Sequence, residues 1–230
     1  MRALLLPIKD LRHAKQRLAG FLSPEERFGL AQAMLVDTFR AVRGVRRADK
    51  IFVVTNHPPA MRAAEENGWE LLLEEEQISE SVSVDAASRE CERRGITAVL
   101  RIPLDVPLVQ ASDIDDLLAT DCSGPALVIV PSRDGTGTNA ILRKPPTLFP
   151  SHFGCGSFAK HCDEAQRSAA QVLVRRNTRL EMDVDDEADL RALVRHDLSG
   201  TETATWLRGN GILARLQQQS PFGVRAAASV

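Results

Sequence analysis

Residues Val128–Lys144, VIVPSRDGTGTNAILRK, carry the pattern from which the fold and a first candidate site can be read. The run Ala126–Val130 is apolar, rich in β-branched residues and followed by Pro131, which predicts a buried strand. Gly135 and Gly137 then alternate with threonines. Two glycines one residue apart let backbone N–H groups approach an anion, so the loop is a candidate phosphate site. An ordinary hairpin turn is the alternative, because Gly-Thr-Gly-Thr is also common turn chemistry.

Length and composition are those of an ordinary soluble globular protein. The chain has 230 residues, of which 43% are hydrophobic and 26% charged, and its formal net charge is -2. A near-neutral charge gives no reason to expect a nucleic-acid groove or a membrane surface. We predict one domain over residues 1–219 and a flexible tail over residues 220–230, where the composition becomes simple.

The cysteines and the first residues indicate a cytoplasmic protein. The chain has four cysteines and no C-x-x-C pair: Cys91, Cys122, Cys155 and Cys162. Scattered cysteines of this kind are typical of a reducing compartment. The apolar run within Met1–Pro7 is too short for a signal peptide or a membrane span, and it is better interpreted as a first strand.

Strand and helix patterns alternate along the chain, which is typical of a layered α/β fold with a mainly parallel sheet. Ser23-Pro24-Glu25-Glu26 predicts a helix start with a capping box, and Ser112 with Asp115 predicts the start of a shorter helix. The predicted strands are Ala3–Pro7, Lys50–Thr55, Trp69–Leu73, Thr97–Ile102, Ala126–Val130, Ala140–Leu142 and Leu180–Asp186.

Basic residues follow the first predicted strand. Five residues of Ile8–Ala19 are basic or potentially basic, and Lys9, Lys15 and Arg17 are among them. Nucleotide phosphates usually bind at the carboxyl end of a parallel sheet, so this segment is a candidate nucleotide site. A solvated basic helix face is the alternative, because Lys and Arg are mostly exposed.

Three aspartates lie at the carboxyl ends of predicted strands. Asp105 lies in the segment that leaves the strand Thr97–Ile102 and is enclosed by two prolines, which favours a functional position over a free surface turn. Asp183 and Asp185 are two residues apart, as are side chains on one side of a strand. With Asp105 they could ligate a hard cation such as Mg²⁺, which prefers oxygen ligands. Capping of the next helix by Asp185 or Asp186 is the alternative.

Two further groups of polar residues precede predicted helices. Gly154 and Ser157 lie in the segment FGCGSF, where backbone N–H groups and a helix dipole make a second anion cradle or simply a helix cap. Ser81 and Ser83 are candidates for contacting a sugar or a base, with helix capping as the alternative.

Taken together, these motifs resemble the 2-phospho-L-lactate guanylyltransferase family of coenzyme F420 biosynthesis, whose members include phosphoenolpyruvate and 3-phospho-D-glycerate guanylyltransferases. Their order and combination carry the resemblance, which spans the chain up to about residue 196. The motifs are Leu6-Pro7-Ile8-Lys9, Ala14-Lys15-Gln16-Arg17-Leu18-Ala19, Asp105-Val106-Pro107-Leu108, Gly135-Thr136-Gly137-Thr138-Asn139-Ala140, Phe153-Gly154-x-Gly156-Ser157-Phe158-x-x-His161 and Asp183-Val184-Asp185.

The resemblance implies a Rossmann-like nucleotidyltransferase fold related to GT-A, with a mainly parallel mixed sheet flanked by helices. It also implies that the phosphate of a small phosphorylated acid attacks GTP and releases pyrophosphate. The residues implied for the acceptor phosphate are Thr138, Gly154 and Ser157. Those implied for Mg²⁺ are Asp105, Asp183 and Asp185. Those implied near the GTP phosphates are Lys9, Lys15 and Arg17, and the catalytic set is Asp105, Lys15 and Lys9.

The segment expected to contact the base departs from the pattern of the family. The chain has Ser81-Val82-Ser83-Val84-Asp85 where many family members have a Leu-Asn pair, so Ser81 and Ser83 are the nucleotide-binding candidates there. The alternatives are a transferase of the same fold that uses another nucleotide or a nucleotide sugar, and a non-catalytic nucleotide-binding protein. The final amphipathic stretch, Thr201–Gln217, predicts a packing helix or the contact of a homodimer.

Overall fold

The fold is described from a computed structural model over residues 1–74, 76 and 78–218. The strands are Arg2–Pro7 (β1), Lys50–Thr55 (β2), Glu70–Leu73 (β3), Ala98–Arg101 (β4), Ala126–Pro131 (β5), Thr138–Lys144 (β6) and Gln171–Val174 (β7). The helices are Pro24–Arg43 (α1), Pro58–Glu66 (α2), Glu80–Arg93 (α3), Ala111–Ala119 (α4), Ser157–Arg167 (α5), Glu187–Leu193 (α6), Glu202–Gly209 (α7) and Ile212–Gln218 (α8).

The strands form one mixed sheet in the order β3-β2-β1-β4-β6-β5-β7. Strand β6 is antiparallel to both of its neighbours, whereas the other paired strands are parallel. Because β6 runs the opposite way, its first residue, Thr138, lies at the edge where β1, β4 and β5 end. This edge therefore brings together loops from distant parts of the chain, as expected for ligand binding in open α/β sheets. The predicted α/β fold with a mainly parallel mixed sheet is confirmed.

Both faces of the sheet are covered by helices. Leu4 and Leu6 of β1 are fully buried on one face with side chains of α1, α2 and α4. Leu5 and Phe52 are buried on the other face, against α3, and β5 packs against α5. Each such leucine or phenylalanine contributes about 1.5–3 kcal/mol by burial. The two-residue alternation of a strand with both faces covered explains why β5, and β1 from Ala3 onward, are apolar on both sides.

The start of α1 has the predicted capping box. Ser23 Oγ accepts the N–H of Glu26 at 3.2 Å, and a Glu26 carboxylate oxygen accepts the N–H of Ser23 at 2.8 Å. Farther along α1, Leu30 and Met34 are buried with Leu207 of α7 and with side chains of α8. The C-terminal helices therefore pack on this chain's own α1. The predicted homodimer stays a prediction.

The predicted strand Leu180–Asp186 is wrong. These residues form a turn and an irregular segment, and the last strand is instead Gln171–Val174, which the sequence analysis missed. Leu180, Met182 and Val184 alternate inward without a partner strand, because they pack against two side-chain clusters. The periodicity thus reports burial and not strand pairing.

The predicted cap of α4 is also wrong. The N-cap residue is Gln110, whose N–H is accepted by Asp113 at 2.9 Å. Asp115 is instead used by another loop, since its carboxylate accepts the backbone N–H groups of Arg46 and Arg47.

The predicted end of the domain at residue 219 and the predicted tail over residues 220–230 lie outside the described residues. In the part of the chain that the structure describes, no helix combines the length and the apolar composition needed to span a membrane.

Candidate active site

A buried lysine joins two loops at the carboxyl edge of the sheet. The Nζ atom of Lys15 lies 2.7 Å from Oδ2 of Asp105 and 3.1 Å from Oδ1 of Asp185, and the lysine side chain is only 9% exposed. Burial alone would lower the pKa of Lys15, but the two carboxylates outweigh it and raise the pKa above its ordinary value. For Asp105, burial would raise the pKa and the Lys15 ammonium lowers it below its ordinary value. The ammonium and the Asp105 carboxylate are therefore both charged near neutral pH.

Lys15 has a strained backbone conformation. Its φ of 56° and ψ of 39° lie in the left-handed region, which residues with a Cβ seldom adopt. It connects two single turns of 3-10 helix, Leu11–His13 and Gln16–Leu18, so the alternative interpretation of this segment as a basic helix face is wrong. A strained residue of this kind costs about 1–3 kcal/mol and is frequent at functional sites. Here it directs a buried cation toward Asp105.

Asp183 completes a group of three carboxylates. The N–H of Val184 donates to the carbonyl oxygen of Asp105 at 3.1 Å, which places Asp183 and Asp185 beside Asp105. Asn139 Nδ2 donates to Asp183 Oδ1 at 3.1 Å. Burial, together with the charge of Asp105, raises the pKa of Asp183 to about 6. Asp183 and Asp105 therefore repel each other in a largely buried place.

The chemistry of this group fits a hard divalent cation. The three aspartates offer only oxygen donors, which Mg²⁺ prefers, and a cation would relieve their mutual repulsion. Over residues 1–74, 76 and 78–218, no three His, Cys, Asp or Glu side chains already stand in the arrangement of a metal site. The ammonium of Lys15 lies between Asp105 and Asp185 in this arrangement. The predicted Mg²⁺ and its ligands stay a prediction.

The Gly-Thr-Gly-Thr loop forms the β5–β6 hairpin and also lines a cavity of about 520 Å³. The N–H of Gly137 donates to Ser132 Oγ at 2.7 Å, and the N–H of Thr136 donates to Asp134 Oδ1 at 2.9 Å. The N–H of Gly135 donates to the Ser132 carbonyl. These three groups, expected to meet an anion, are therefore engaged within the turn. The hairpin instead brings side-chain donors to the cavity, among them the hydroxyl of Thr138 and the guanidinium of Arg133.

The second glycine segment begins α5 and lines the same cavity. Gly154 and Gly156 have φ values of 112° and 66°, which a residue with a Cβ would adopt only under strain, and Gly156 is the N-cap of α5. The N–H of Phe158 donates to the carbonyl of Thr136 at 3.1 Å and joins this segment to the hairpin. Thr138, Gly154 and Ser157, predicted to bind the acceptor phosphate, therefore line one cavity.

A buried histidine orients the Thr138 hydroxyl. His161 Nε2 accepts the backbone N–H of His152 at 2.9 Å, so this nitrogen carries no proton. The proton of the neutral ring is then on Nδ1, which donates to Thr138 Oγ1 at 3.0 Å. Burial, aided by the nearby Arg143, lowers the pKa of His161 to about 3 and keeps the ring neutral. Since Thr138 Oγ1 accepts from His161, its own proton is available to a ligand.

A second cavity, of about 370 Å³, adjoins the first. Lys9 and Lys15 line this second cavity, whereas Arg17 lines the larger one, where its guanidinium lies 3.6 Å from Asp185. The two cavities share four wall residues, so they meet at one place. The shared residues are Glu80, Arg101, Pro103 and Asp105. Two adjoining sites that meet at a carboxylate suit a reaction between two ligands.

Ser81 and Ser83 lie in the first turns of α3 and line neither cavity. Ser81 Oγ accepts the N–H of Phe153 at 2.9 Å, and Ser83 Oγ donates to the carbonyl of Ser79. The cap of the helix is Ser79. The predicted contact of Ser81 and Ser83 with a nucleotide stays a prediction.

Three residues of the site were given no role from the sequence, although two of them lie in the quoted motifs: Arg101, Asn139 and His161. Arg101 stands out in the sequence because it follows three apolar strand residues. A buried arginine is uncommon unless its charge is paired, so its place in a buried strand indicates a specific partner. Asn139 and His161 act through contacts with Asp183 and Thr138, and no local pattern reveals those contacts.

Comparison with known proteins shows the family of this chain. A family model described as "Guanylyl transferase CofC like" matches residues 1–227. The chain belongs to this family. It is 34% identical over 189 residues to a phosphoenolpyruvate guanylyltransferase of Rubrobacter xylanophilus, covering 82% of this chain and 91% of that protein. It is 31% identical over 204 residues to a 2-phospho-L-lactate guanylyltransferase of Methanothermobacter thermautotrophicus, covering 89% and 88%.

Solved structures support the fold of this CofC-like chain. A protein from Desulfovibrio desulfuricans G20, named after nucleotide-diphospho-sugar transferases, aligns with a TM-score of 0.75 at 18% identity, covering 93% of this chain and 96% of that one. A nucleotidyl transferase from Methanothermobacter aligns with a TM-score of 0.60 at 14% identity, covering 91% and 99%. The predicted nucleotidyltransferase fold and the predicted family are confirmed.

Proposed function

We propose that this protein transfers the guanylyl group of GTP to the phosphate of a small phosphorylated three-carbon acid and releases pyrophosphate, as a step of coenzyme F420 biosynthesis. The observation that carries this proposal is that two cavities meet at Asp105. One is lined by lysines, and the other by hydrogen-bond donors that suit a phosphate. The names of the relatives, phosphoenolpyruvate and 2-phospho-L-lactate guanylyltransferase, support the choice of both substrates.

The smaller cavity is proposed for GTP. Lys9 and Lys15 supply positive charge beside an apolar wall that includes Leu11 and Met34. An apolar wall suits a nucleoside, and ammonium groups suit its phosphates. Arg17 lines the larger cavity and lies 3.6 Å from Asp185. Its guanidinium can offset charge on the departing pyrophosphate.

The larger cavity is proposed for the acid. Thr138 and Ser157 offer hydroxyl donors, and Gly154 allows the chain to approach the acceptor phosphate closely. Ser157 begins α5, so the positive end of the helix dipole favours an anion at this place. His161 would leave the Thr138 proton free for that phosphate.

Asp105, Asp183 and Asp185 are proposed to hold Mg²⁺. The ion would neutralise charge on the nucleotide phosphates when bound. Lys15 would keep the carboxylates of Asp105 and Asp185 in place, and Asn139 would orient Asp183 through the amide that donates to it.

The proposed reaction needs alignment more than proton transfer. An oxygen of the acceptor phosphate attacks the α-phosphorus, a new P–O bond forms, and the bond to the β-phosphate oxygen breaks. A phosphate monoester is already anionic near neutral pH, so the protein needs no general base for this step. Its task is to bring two anions together and to stabilise the leaving group, which Lys9, Lys15 and Arg17 would do.

The test is pyrophosphate release with GTP and Mg²⁺ and each of three acids: phosphoenolpyruvate, 2-phospho-L-lactate and 3-phospho-D-glycerate. We expect release with at least one acid and a product whose mass equals that of the acid plus a guanylyl group. Replacing GTP by CTP, ATP or UTP tests the alternative of another nucleotide. Pyrophosphate release with another nucleotide alone, or binding without any release, would overturn the proposal.

A further inference from the structure

Arg101 is a buried cation where the two cavities meet. It ends β4, four positions before Asp105, and its side chain is 6% exposed. It lines both cavities together with Glu80 and Asp105, and its charge helps to lower the pKa of Asp105. The proposed transfer of the guanylyl group does not use this guanidinium.

The hydrogen bonds of Arg101 are incomplete. Its Nη1 atom donates to the backbone carbonyls of Thr138 and Asn139, each at 3.3 Å, and Nη2 pairs with the Glu80 carboxylate. Phe153 covers the group, with its ring centroid 4.4 Å from the guanidinium carbon. The Nε atom is buried and has no partner among the described residues. Leaving a buried donor of a charged group unpaired is costly, so a further acceptor is expected.

Arg143 shows what a structural arginine looks like in the same sheet. It lies on the neighbouring strand β6, is 2% exposed and packs over a phenylalanine ring, as Arg101 does. Its guanidinium donates to Asp85, Ser88 and the carbonyl of Phe149, and it lines neither cavity. Arg101 differs in two respects: among the described residues its Nε is a buried donor without a partner, which is not so for any guanidinium atom of Arg143, and it lies on the walls of both cavities.

We propose that Arg101 binds the carboxylate of the acceptor acid; this rests on the proposed function and adds a specificity-determining residue to it. The Nε and Nη2 atoms form one edge of the guanidinium, with two parallel N–H groups that match the two oxygens of a carboxylate. A carboxylate from Glu80 already contacts Nη2, so this edge has the required chemistry. Glu80 is 29% exposed and can turn toward water when the acid takes its place.

The position of Arg101 selects the carboxylate over the other anions. Its Nη1 contacts the backbone of Thr138, whose hydroxyl is proposed for the acceptor phosphate. In a three-carbon acid the carboxylate lies within a few bonds of that phosphate, which brings it to the same wall. The acceptor phosphate has its own donors at Thr138 and Ser157, and the nucleotide phosphates have Lys9 and Lys15. The carboxylate is the one anionic group to which no other residue has been assigned.

The test compares the acid that turns over fastest with its carboxamide, in which a neutral group of similar shape replaces the carboxylate. The measured quantity is the ratio of kcat/KM for acid and amide. We expect a ratio of about 10²-fold in the wild-type protein and within about 3-fold of one in Arg101→Met, because a charge-assisted bidentate contact is lost. Arg143→Lys is the matched control: it is expected to lose stability but to keep the wild-type ratio.

An unchanged ratio in Arg101→Met would overturn the inference while leaving the proposed function intact. Absence of transfer to any acid by the wild-type protein would overturn both. Should Arg101→Met fail to fold, Arg101→Lys keeps the charge but not the fork. A ratio reduced about 10-fold in that variant supports the inference, and an unchanged ratio contradicts it.

Discussion

The ammonium of Lys15 lies 2.7 Å from the carboxylate of Asp105, although 90 positions separate the two residues in the chain. The lysine comes from the loop after β1 and the aspartate from the loop after β4, and these strands are neighbours in the sheet. A strained backbone at Lys15 and a hydrogen bond from Val184 to Asp105 hold the contact in place. This contact lies beside the junction of the two cavities.

Lys15→Met should reduce turnover by about 10²-fold or more, because it removes a buried cation beside the proposed nucleotide phosphates. It also leaves the carboxylates of Asp105 and Asp185 without their counter-ion, so the melting temperature should fall. Lys50→Met is the control, since Lys50 pairs with Glu70 at the start of β2, the opposite edge of the sheet. Turnover near the wild-type value in Lys15→Met would contradict the proposed role.

Asp105→Asn and Asp183→Asn should each lower kcat about 10³-fold, equivalent to about 4 kcal/mol of transition-state stabilisation. Circular dichroism should show an intact fold, because both residues lie in loops. Asp116→Asn, an exposed change on α4, should leave kcat unchanged. Steady-state kinetics with GTP and a range of Mg²⁺ concentrations measures this, and full activity of Asp105→Asn would count against the carboxylate site.

His161→Gln and His161→Asn should differ in their effect on the acid substrate. The asparagine amide can lie near the position of Nδ1 and still donate to Thr138, whereas the longer glutamine mimics Nε2 and its contact with His152. We expect KM for the acid to rise about 3- to 10-fold in His161→Gln and less in His161→Asn, with KM for GTP unchanged. The exposed change His196→Asn is the control. Equal effects of the two variants on both substrates would indicate a purely structural role for His161.

The neutral His161 also predicts how stability depends on pH. Its folded pKa is about 3, below the value near 6.5 expected in the unfolded chain, so only the unfolded state gains a proton between these values. The contribution of His161 to the free energy of unfolding is therefore fully present well above pH 6.5 and is lost as the pH falls through and below that value. The contribution lost between pH 7.5 and pH 5.5 is about 1.4 kcal/mol. The titratable or charged groups around the ring are Arg143, His152, Arg101 and Asp85.

Urea unfolding of the wild-type protein and of His161→Asn at both pH values isolates this contribution, because all other groups titrate alike in the two proteins. The free energy of unfolding should fall by about 1.4 kcal/mol less in the variant. Parallel pH profiles would show that His161 is not held neutral.

Gly29→Ala should destabilise the protein although alanine is the better helix former. A Cβ at Gly29 would lie 2.5 Å from Nε1 of Trp206, so α1 and α7 would have to separate. Overpacking of this kind costs about 1–3 kcal/mol, which exceeds the gain of about 1 kcal/mol in helix propensity. Gly209→Ala meets no atom within 4 Å and should be neutral or stabilising. Thermal melts of both variants measure the change in stability. A higher melting temperature for Gly29→Ala would show that the two helices repack freely.

Much of the carboxyl edge could be predicted because ligand sites follow strand ends in α/β sheets. Asp105, Thr138 and the glycines before α5 follow or begin regular elements, and the sequence marks those boundaries with proline, glycine and serine. The start of α1 was predictable for the same reason, since its capping box involves residues three positions apart. The predicted roles of these residues in catalysis stay predictions.

Other features could not be predicted because the groups that a local pattern assigns to one partner are engaged by another in the folded protein. Asp115 does not cap α4 since two backbone N–H groups near residue 46 take its carboxylate. Leu180–Asp186 alternates like a strand, yet its apolar side chains fill two different clusters. The N–H groups of the glycine-rich hairpin are used by Ser132 and Asp134 within the turn itself.

The sequence by itself determined most of the alternation of strands and helices, the capping box of α1 and the glycine-rich loops, because each depends on residues close together in the chain. It also indicated the family, through the order of its motifs. The tertiary structure alone decided that Lys15 lies between Asp105 and Asp185, that His161 orients Thr138, and that Arg101 is placed where two cavities meet. These contacts depend on the order and register of the strands. Strand order and register are set by the packing of the whole sheet, and no local pattern encodes them.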